Sequence, residues 1–201
     1  MRGFYFITDK GLSRKGDVSD VKSAAAAGVS IIQYRDKDAS SLGMLKQARL
    51  LRAACPEAVF LINDRVDICL ACGADGVHIG RDDLPLGVCR KLLGKKRIIG
   101  VTVHSLREAL SAEKSGADYL AVSPIFSTKT KKDAGKAAGT ALIRAIRSRS
   151  RLPLVAIGGI TLANAPGVIE AGADCLCAIS AVVRSKDVRQ EINKFQELFE
   201  K

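Results

Sequence analysis

A Gly-Ala-Asp tripeptide recurs along this chain, each time between an amphipathic or alanine-rich segment and a short apolar run. It occurs at 73–75, 116–118 and 172–174, and Gly28-Val29-Ser30 has a similar form. A glycine just past a helix, followed at once by an apolar run, is typical of a joint between a helix and a strand. The separations of about 45, 43 and 56 residues suit two strand–helix units each. The repeat therefore predicts eight strands, with these joints leading into the second, fourth, sixth and eighth.

The remaining strands are expected between these joints, in short runs rich in Val, Ile and Leu. These runs are 4–7, 58–62, 97–101 and 154–157, and the runs after the joints are 31–32, 76–77, 119–122 and 175–178. Helices are predicted near 18–27, 40–54, 65–72, 86–93, 105–115, 139–148, 161–171 and 187–199. Apolar runs without clean alternation are typical of a covered parallel sheet. Eight strand–helix alternations favour an α/β fold, a (β/α)8 TIM barrel, over a doubly wound open sheet.

Two of the predicted helices begin with a capping signal. Ser105 followed by Glu108 can form a capping box, and Thr161 can cap a helix that begins at Leu162. These signals predict helix starts just beyond the fifth and seventh strands.

The length of the chain limits the architecture. At 201 residues it lies near the lower limit for such a barrel, which predicts one domain, residues 1–201, with short loops. The stretch 127–138 lacks a helix or strand pattern and is predicted to be a mobile loop. The first residues lack the apolar core of a signal peptide, and no run approaches the ~18 apolar residues of a membrane span. We therefore expect a cytoplasmic protein that has no membrane partner.

Charge and cysteine content exclude other classes of protein. The net charge of +11 predicts a basic surface, but aromatic residues make up only 4% of the chain. The stacking surfaces that bind single-stranded nucleic acid are therefore largely missing, and no nucleic-acid partner is expected. The six cysteines lack the spacing of a zinc module and are predicted to be buried or partly buried thiols.

Residues that follow the strands would meet at one mouth of the barrel, where barrel enzymes hold their active sites. Arg35 and Lys37 alternate on an extended segment and lie beside Gln33. An arginine fork, a lysine charge and an amide suit a diphosphate.

Two aspartates bring carboxylates to this mouth. Asp64 and Asp83 follow different strands. Mg²⁺ commonly takes one or two carboxylates together with waters and phosphate oxygens. Alternatively, Asp64 caps the following helix and Asp83 pairs with Arg81. The spacing alone leaves both interpretations open.

Two glycines end the predicted seventh strand, ahead of a helix. Gly158 and Gly159 would let backbone amides approach an anion, and Ile179-Ser180 after the eighth strand would complete a phosphate cradle. The alternative is a tight turn with no ligand. The chain has no Walker lysine motif, which argues against a nucleotide-binding fold.

Both histidines are candidates for a role near the mouth. His78 lies within the fourth predicted strand and is expected to be packed and hydrogen-bonded. His104 lies at the mouth, where it could contact a ligand, transfer a proton or support another residue. No serine or cysteine lies in a recognised nucleophile motif, so covalent catalysis is not predicted.

The chain resembles the thiamine phosphate synthase family over nearly its whole length. The segments that carry the resemblance are 5–9, 33–37, 62–65, 76–85, 124–131, 156–161 and 179–180. The family joins 4-amino-2-methyl-5-hydroxymethylpyrimidine diphosphate to 4-methyl-5-(2-hydroxyethyl)thiazole phosphate, with Mg²⁺, and gives thiamine phosphate and pyrophosphate.

The resemblance implies a role for each residue that matches the family's motifs. Those implied to bind the pyrimidine diphosphate are Gln33, Tyr34, Arg35, Asp36, Lys37, Asn63, Thr102 and Lys131, of which Arg35, Lys37, Thr102 and Lys131 are implied to be catalytic. Those implied to bind the thiazole phosphate are Thr128, Lys129, Thr130, Gly159, Ile179 and Ser180. The implied Mg²⁺ ligands are Asp64 and Asp83. The family usually has serine where this chain has Thr102.

This reaction suits a mouth that lacks a nucleophile motif. The thiazole nitrogen carries a lone pair and needs no general base, so the protein mainly has to stabilise the departing pyrophosphate and align the nucleophile. A pyrimidine cation is expected in the difficult step, and the 127–138 loop is hypothesised to close over it and exclude water.

Two other functions remain open on the same barrel. One is a thiazole tautomerase-like relative, which has no need for a metal bound to a diphosphate, and the other is a sensor that binds a phosphorylated ligand without turnover. The Asp64 and Asp83 pair, together with Arg35 and Lys37, favours the synthase. A homo-oligomer is also left open.

Overall fold

Eight parallel strands form a closed barrel in the computed structural model, which describes residues 1–128 and 135–200. The strands are β1 Gly3–Ile7, β2 Ile31–Tyr34, β3 Val59–Asn63, β4 Gly76–Ile79, β5 Ile98–Val103, β6 Tyr119–Val122, β7 Leu154–Ile157 and β8 Cys175–Cys177. The helices are α1 Asp17–Ala26, α2 Ser41–Ala54, α3 Val66–Cys72, α4 Leu86–Leu93, α5 Leu106–Lys114, α6 Gly139–Arg147, α7 Ala165–Glu170, α8 Ile179–Val183 and α9 Val188–Gln196, followed by a 3-10 turn at Glu197–Phe199. The predicted (β/α)8 TIM barrel is confirmed.

The barrel closes between its first and last strands, where Gly3 pairs with Cys175. Alternation along each strand separates the interior of the barrel from the layer between sheet and helices. Tyr5 points inward and bonds to Tyr119 of β6, whereas its neighbour Phe4 points outward and packs on Phe195 of α9 with ring centroids 5.3 Å apart. Residues near the strand ends that alternate in step with inward-pointing residues such as Tyr5 therefore point into the mouth of the barrel.

The repeated tripeptide has one structural role at the bottom of the barrel. Gly73 ends α3 in the left-handed region with φ 70°, and the next amide, Ala74 N, bonds back to Cys69 O at 3.0 Å. This is the bond of a Schellman ending, for which glycine has no steric cost. Asp75 then donates its amide to Phe60 O at 2.9 Å, and its Oδ2 accepts the amide of Phe60 at 2.7 Å. The tripeptide therefore ends helix α3 through Gly73 and links the starts of β3 and β4 through Asp75.

The other two aspartates of the repeat bond in the same way. Asp118 Oδ2 accepts the amide of Ile99, and Asp174 Oδ2 accepts the amide of Leu154. Each of the three carboxylates also faces an arginine of an even-numbered helix, and these ion pairs are Arg52 with Asp75, Arg90 with Asp118, and Arg147 with Asp174. The repeated aspartates thus make three similar sets of contacts at the amino-terminal end of the barrel, the end that serves stability and not catalysis. Each set, an aspartate carboxylate with its strand amide and its arginine, is here called a clasp.

Removing one clasp should measure its contribution. Asp118→Ala takes away the acceptor for Ile99 N at 2.7 Å and the partner of Arg90 Nη2 at 2.6 Å. We expect a loss of about 1–3 kcal/mol in the free energy of unfolding, because hydrogen bonds to a charged acceptor are lost. Urea unfolding of this variant beside Glu170→Ala, a change at an exposed carboxylate, measures the difference. Equal stabilities of the two variants would contradict the structural role of the clasp.

Two local predictions need correction after β7 and β8. The helix predicted at 161–171 begins at Ala165, and Thr161 does not cap it; instead, Thr161 N donates to Asn164 Oδ1 at 2.8 Å in a short turn. Pro166 occupies the first turn of α7, where its fixed φ and missing N–H are tolerated. The eighth strand ends at Cys177, and Ile179 and Ser180 lie in the additional short helix α8.

The predictions for cysteines and for one capping residue hold. None of the six cysteines forms a disulfide; five are buried and Cys72 is half-buried. Ser105 Oγ accepts the amide of Glu108 at 3.2 Å, as expected for the start of α5. Among the described residues, no helix combines the length and the apolar character that crossing a bilayer requires.

Candidate active site

Two adjoining clefts open at the carboxyl ends of the strands. The first, here called the acidic cleft, has a volume of about 160 Å³ and includes Lys37, Asn63, Asp64, His78, Arg81, Asp83, Thr102, His104 and Ser123. The second, here called the glycine cleft, has a volume of about 40 Å³ and includes Ser123, Thr128, Gly158, Gly159, Ile179 and Ser180. Ser123 lines both clefts, so ligands in the two would lie side by side.

Asp64 lies on a strained backbone at the end of β3. Its φ of 63° is the only positive value of a non-glycine residue in the described chain. Asp64 N donates to His78 O at 2.8 Å, and Arg65 N closes a tight turn onto Asn63 O at 2.7 Å. A residue held in this region costs roughly 1–3 kcal/mol, and such residues are concentrated at functional sites. The turn aims the Asp64 carboxylate into the acidic cleft.

Asp64 and Asp83 share the acidic cleft with a lysine. Burial, and then the hydrogen-bond contact and negative charge of Asp83, raise the pKa of Asp64 to about 6, although Lys37 opposes the shift. Lys37 Nζ lies 3.2 Å from Asp64 Oδ2, and Asp83 Oδ2 accepts the amide of Gly80 at 2.7 Å. Two carboxylates this close favour a shared proton or a shared cation. Among the described residues, no cluster of three or more acidic, His or Cys side chains is arranged to hold a metal.

The alternative roles considered for these aspartates are absent. Helix α3 is capped at Arg65 without a side-chain bond, so Asp64 does not cap it. Arg81 donates to Glu108 Oε1 at 2.9 Å and pairs with that residue, and not with Asp83. Both aspartates therefore present carboxylate oxygens to the cleft.

Residues 33–37, which begin within β2 and continue beyond it, point their side chains to two different sides. Gln33 Nε2 donates to Tyr5 Oη inside the barrel at 2.6 Å. Arg35 has the same parity; its amide is fixed by Thr8 Oγ1 at 3.0 Å, and its buried Nε has no hydrogen-bond partner among the described residues. An unpartnered guanidinium nitrogen at the mouth is a donor ready for an anion.

Tyr34 and Asp36, the alternate residues of this segment, lie outside the barrel. They line a separate cleft with Lys10 and Asp17. Asp36 Oδ1 accepts the amides of Asp38 and Ala39, at 3.0 and 3.1 Å, and shapes the loop before α2. Strand alternation thus divides the segment predicted to bind one ligand between two surfaces.

Asp17 in this outer cleft should make stability depend on pH. Its side chain is buried, its Oδ1 has no hydrogen-bond partner in residues 1–128 and 135–200, and burial followed by Asp20 and Asp36 raises its pKa to about 6. The folded state therefore holds this proton more tightly than the unfolded chain, and stability falls as the pH rises from about 4 toward 6.

Asp17→Asn removes the charge that burial disfavours. We expect it to raise the free energy of unfolding on the order of 1 kcal/mol at neutral pH and to lose that advantage near pH ~4. Thermal unfolding of both proteins across this range measures the change. A constant difference at every pH would contradict the assignment.

His78 and Thr102 meet at the inner wall of the acidic cleft. His78 Nε2 lies 2.8 Å from Thr102 Oγ1, and its Nδ1 lies 2.8 Å from Tyr119 Oη. The prediction of a packed, hydrogen-bonded His78 is confirmed. Tyr5 and Tyr119, which complete these bonds, were not predicted from the sequence. The signal that could have identified them is a tyrosine at an inward-facing position of an apolar strand, because its hydroxyl then needs a hydrogen-bond partner inside the barrel.

His104 is held at the rim by Glu108 of α5. Glu108 Oε2 accepts the amide of His104 at 2.8 Å and lies 3.2 Å from its Nδ1. The backward bond of the predicted capping box thus reaches the residue before Ser105. Bonds from His104 and Arg81 lower the pKa of Glu108 despite its partial burial. The ionised carboxylate of Glu108 therefore bonds to two rim residues, His104 and Arg81.

The glycine cleft requires residues without a side chain. Gly158 and Gly159 have φ 101° and 64°, and an added Cβ would lie 2.6 Å from Pro124 Cβ or 2.7 Å from Ser127 O. The β7 end therefore approaches the loop after β6 backbone to backbone. Ile179 and Ser180 of α8 line the opposite wall. Backbone amides in such a setting suit an anion such as phosphate.

Three of the implied substrate-binding residues cannot be assigned a position. Lys129, Thr130 and Lys131 lie outside the described residues, as does part of the 127–138 loop. Thr128, the last residue described before them, lines the glycine cleft.

The chain is similar to proteins of one family. The sequence model of the thiamine monophosphate synthase family matches residues 4–182 of this chain. The chain is 53% identical over 193 residues to the thiamine-phosphate synthase of Methanosarcina mazei, covering 96% of this chain and 80% of that protein. It is 47% identical to the thiamine-phosphate synthase of Methanospirillum hungatei, covering 98% and 97%.

Solved structures give the same result. Thiamine phosphate pyrophosphorylase from Pyrococcus furiosus matches with a TM-score of 0.91 and 40% identity, covering 98% of this chain and 95% of that one. A 3-hexulose-6-phosphate synthase matches with a TM-score of 0.74 at 18% identity and shares the fold alone.

Proposed function

Because this chain belongs to the thiamine monophosphate synthase family, we propose that it joins 4-amino-2-methyl-5-hydroxymethylpyrimidine diphosphate to 4-methyl-5-(2-hydroxyethyl)thiazole phosphate. The products would be thiamine phosphate and pyrophosphate. The enzyme is thus a transferase that releases pyrophosphate. The observation that carries the proposal is the pair of adjoining clefts, one with carboxylates and cations and the other built on glycines.

The donor set of the acidic cleft suits Mg²⁺. Burial, followed by the neighbouring Asp83 carboxylate, raises the pKa of Asp64, and Lys37 at 3.2 Å offsets this only in part. Mg²⁺ usually takes one or two protein carboxylates and leaves its other positions to water and phosphate oxygens. When bound, it would neutralise negative charge on the diphosphate. We propose Asp64 and Asp83 as its ligands.

The cations beside this pair would bind the pyrimidine diphosphate. Within the part of the chain that the structure describes, the buried Arg35 Nε is unpartnered, and Lys37 lies next to Asp64, so both can stabilise the charge that grows on the leaving group. Gln33, Asn63 and Thr102 add neutral groups for orientation. Tyr34 and Asp36 would act from outside the barrel, by fixing the β2–α2 segment that carries Arg35 and Lys37.

The glycine cleft would hold the thiazole phosphate. Its anion would meet the amides near Gly159 and the start of α8, at Ile179 and Ser180, with Thr128 at the edge. Because Ser123 lines both clefts, a thiazole held here would lie beside the pyrimidine methylene. Alignment of the two reactants is then a main contribution of the protein. From the sequence we also propose contacts from Lys129, Thr130 and Lys131.

Turnover with both substrates should require a divalent metal. Incubation of the protein with both substrates and Mg²⁺ is expected to yield thiamine phosphate and pyrophosphate, and a chelator should abolish turnover until Mg²⁺ is restored. Chromatographic detection of both products checks this. Thiazole isomerisation without metal would instead support the tautomerase-like function, and binding without product would support the sensor. Either of these results would refute the proposed function.

A further inference from the structure

A chain of buried hydrogen bonds crosses the barrel interior and ends at the acidic cleft. Its members, here called the relay, are Gln33, Tyr5, Tyr119, His78 and Thr102. We propose that the relay fixes His78 as the neutral tautomer with its hydrogen on Nε2, and thereby makes Thr102 a hydrogen-bond donor to the substrate. The substrate part of this inference rests on the proposed function, whereas the tautomer does not.

The direction of the relay follows from its first bond. Gln33 Nε2 donates to Tyr5 Oη at 2.6 Å, and the two phenol oxygens lie 2.8 Å apart. Tyr5 is 2% exposed and Tyr119 is 0% exposed, so bulk solvent does not reach either hydroxyl. If Tyr5 donates to Tyr119, and Tyr119 donates to His78 Nδ1, each phenol uses its one hydrogen. The opposite order would leave the Tyr5 hydrogen without an acceptor in the relay, which is costly in a buried position.

This direction determines the bond between His78 and Thr102. A neutral imidazole has one N–H and one acceptor nitrogen. Because Nδ1 accepts from Tyr119, Nε2 carries the hydrogen and donates to Thr102 Oγ1 at 2.8 Å. The hydroxyl hydrogen of Thr102 is then directed to another acceptor, and Thr102 lines the acidic cleft. The acceptor chemistry that fits is a phosphate oxygen, whose charge grows as the diphosphate leaves.

Close packing keeps the members of the relay in place. The Tyr119 ring stacks on the His78 ring with centroids 5.6 Å apart and an interplanar angle of 28°. Gly100 leaves the space that the Tyr119 ring fills, since a Cβ there would lie 1.9 Å from Tyr119 Cζ. His78 acts through Thr102 in this arrangement, so it is a positioning residue. Tyr5 and Tyr119 set its tautomer.

Nitrogen NMR of the ligand-free protein tests the tautomer. With ¹⁵N-labelled histidine at neutral pH, we expect His78 to show an unprotonated Nδ1 and a protonated Nε2. The chain has two histidines, so the spectrum of His104→Ala identifies the His78 signals. A His78 with its hydrogen on Nδ1, a mixture of tautomers, or an imidazolium would overturn the inference.

A double-mutant cycle tests whether His78 acts through Thr102. Thr102→Val should lower kcat on the order of 10²-fold with a smaller change in KM, while Thr102→Ser stays within a few fold. Tyr119→Phe keeps the ring and removes the hydroxyl, and should lower kcat about 10-fold in the wild-type background but cause no further loss beside Thr102→Val. His78→Phe should behave likewise if it folds.

The outcomes of this cycle separate the relay from the proposed function. Independent, multiplying losses for Tyr119→Phe and Thr102→Val would overturn the relay, as would an unchanged kcat in Thr102→Val. Circular dichroism and thermal unfolding of each variant verify that it is folded. An inactive wild-type protein would instead refute the proposed function, and the NMR measurement would still decide the tautomer.

Discussion

Asp64→Ala is expected to lower Mg²⁺-dependent turnover on the order of 10³-fold while the barrel remains folded. The substitution removes one of the two carboxylates in contact in the acidic cleft and leaves Asp83 alone beside Lys37. Folding should survive because the carboxylate is itself disfavoured by burial, as its raised pKa shows. Steady-state turnover with both substrates, together with a melting curve, measures both expectations.

Two further variants separate charge from backbone strain at this position. Asp64→Asn keeps a short polar side chain that tolerates φ 63°, and Asp64→Gly tolerates this φ without any side chain. Both should lose activity to a similar extent as Asp64→Ala, because each lacks the carboxylate. Asp67→Ala, which removes an exposed carboxylate paired with Arg65, should change turnover less than about twofold. Wild-type activity in Asp64→Asn would remove the metal assignment.

Gly100→Ala is expected to destabilise the barrel by more than ~3 kcal/mol or to prevent folding. A Cβ at this position would lie 1.9 Å from Cζ, 2.2 Å from Cε1 and 2.3 Å from Oη of Tyr119. The ring cannot move aside, because its hydroxyl bonds to both Tyr5 and His78 and the residue is fully buried. Urea or thermal unfolding measures the loss.

The matched control for this change lies on a helix surface. Gly87→Ala in α4 meets no atom within 4 Å and should stabilise the protein by ~0.4–1 kcal/mol. Tyr119→Leu should restore much of the stability of Gly100→Ala, since it removes the atoms that collide. If Gly100→Ala unfolds like the wild type, the interior arrangement around Tyr119 is wrong.

The helix and strand pattern was largely readable from local signals. The glycines of the repeat mark helix ends by their left-handed backbone, and the aspartates mark strand starts, so eight strands could be located. The two errors concern weak signals. Helix α7 spans only Ala165–Glu170 and α8 only Ile179–Val183, and helices this short show no clear 3.6-residue period.

The candidate site was only partly readable. That Asp64, Asp83 and Lys37 share one cleft follows from the rule that parallel strands bring their carboxyl ends to one mouth. Gln33 points into the barrel and Tyr34 points outward. Which residues of 33–37 face each side depends on the alternation within β2, and the sequence did not show which of the two faces inward. The relay was not predicted, because its bonds join residues as far apart as Tyr5 and Tyr119.

The sequence by itself determined the barrel and the family, and it located Lys37, Asp64 and Asp83 at the mouth, since these depend on local patterns and on the order of motifs along one chain. The tertiary structure alone decided which side chains touch: the contact of Asp64 with Asp83, the strain at Asp64, and the bonds from Gln33 to Thr102. The reason is physical. Barrel closure sets the distances between residues on different strands, and hydrogen bonds and ion pairs form only within narrow limits of distance and angle.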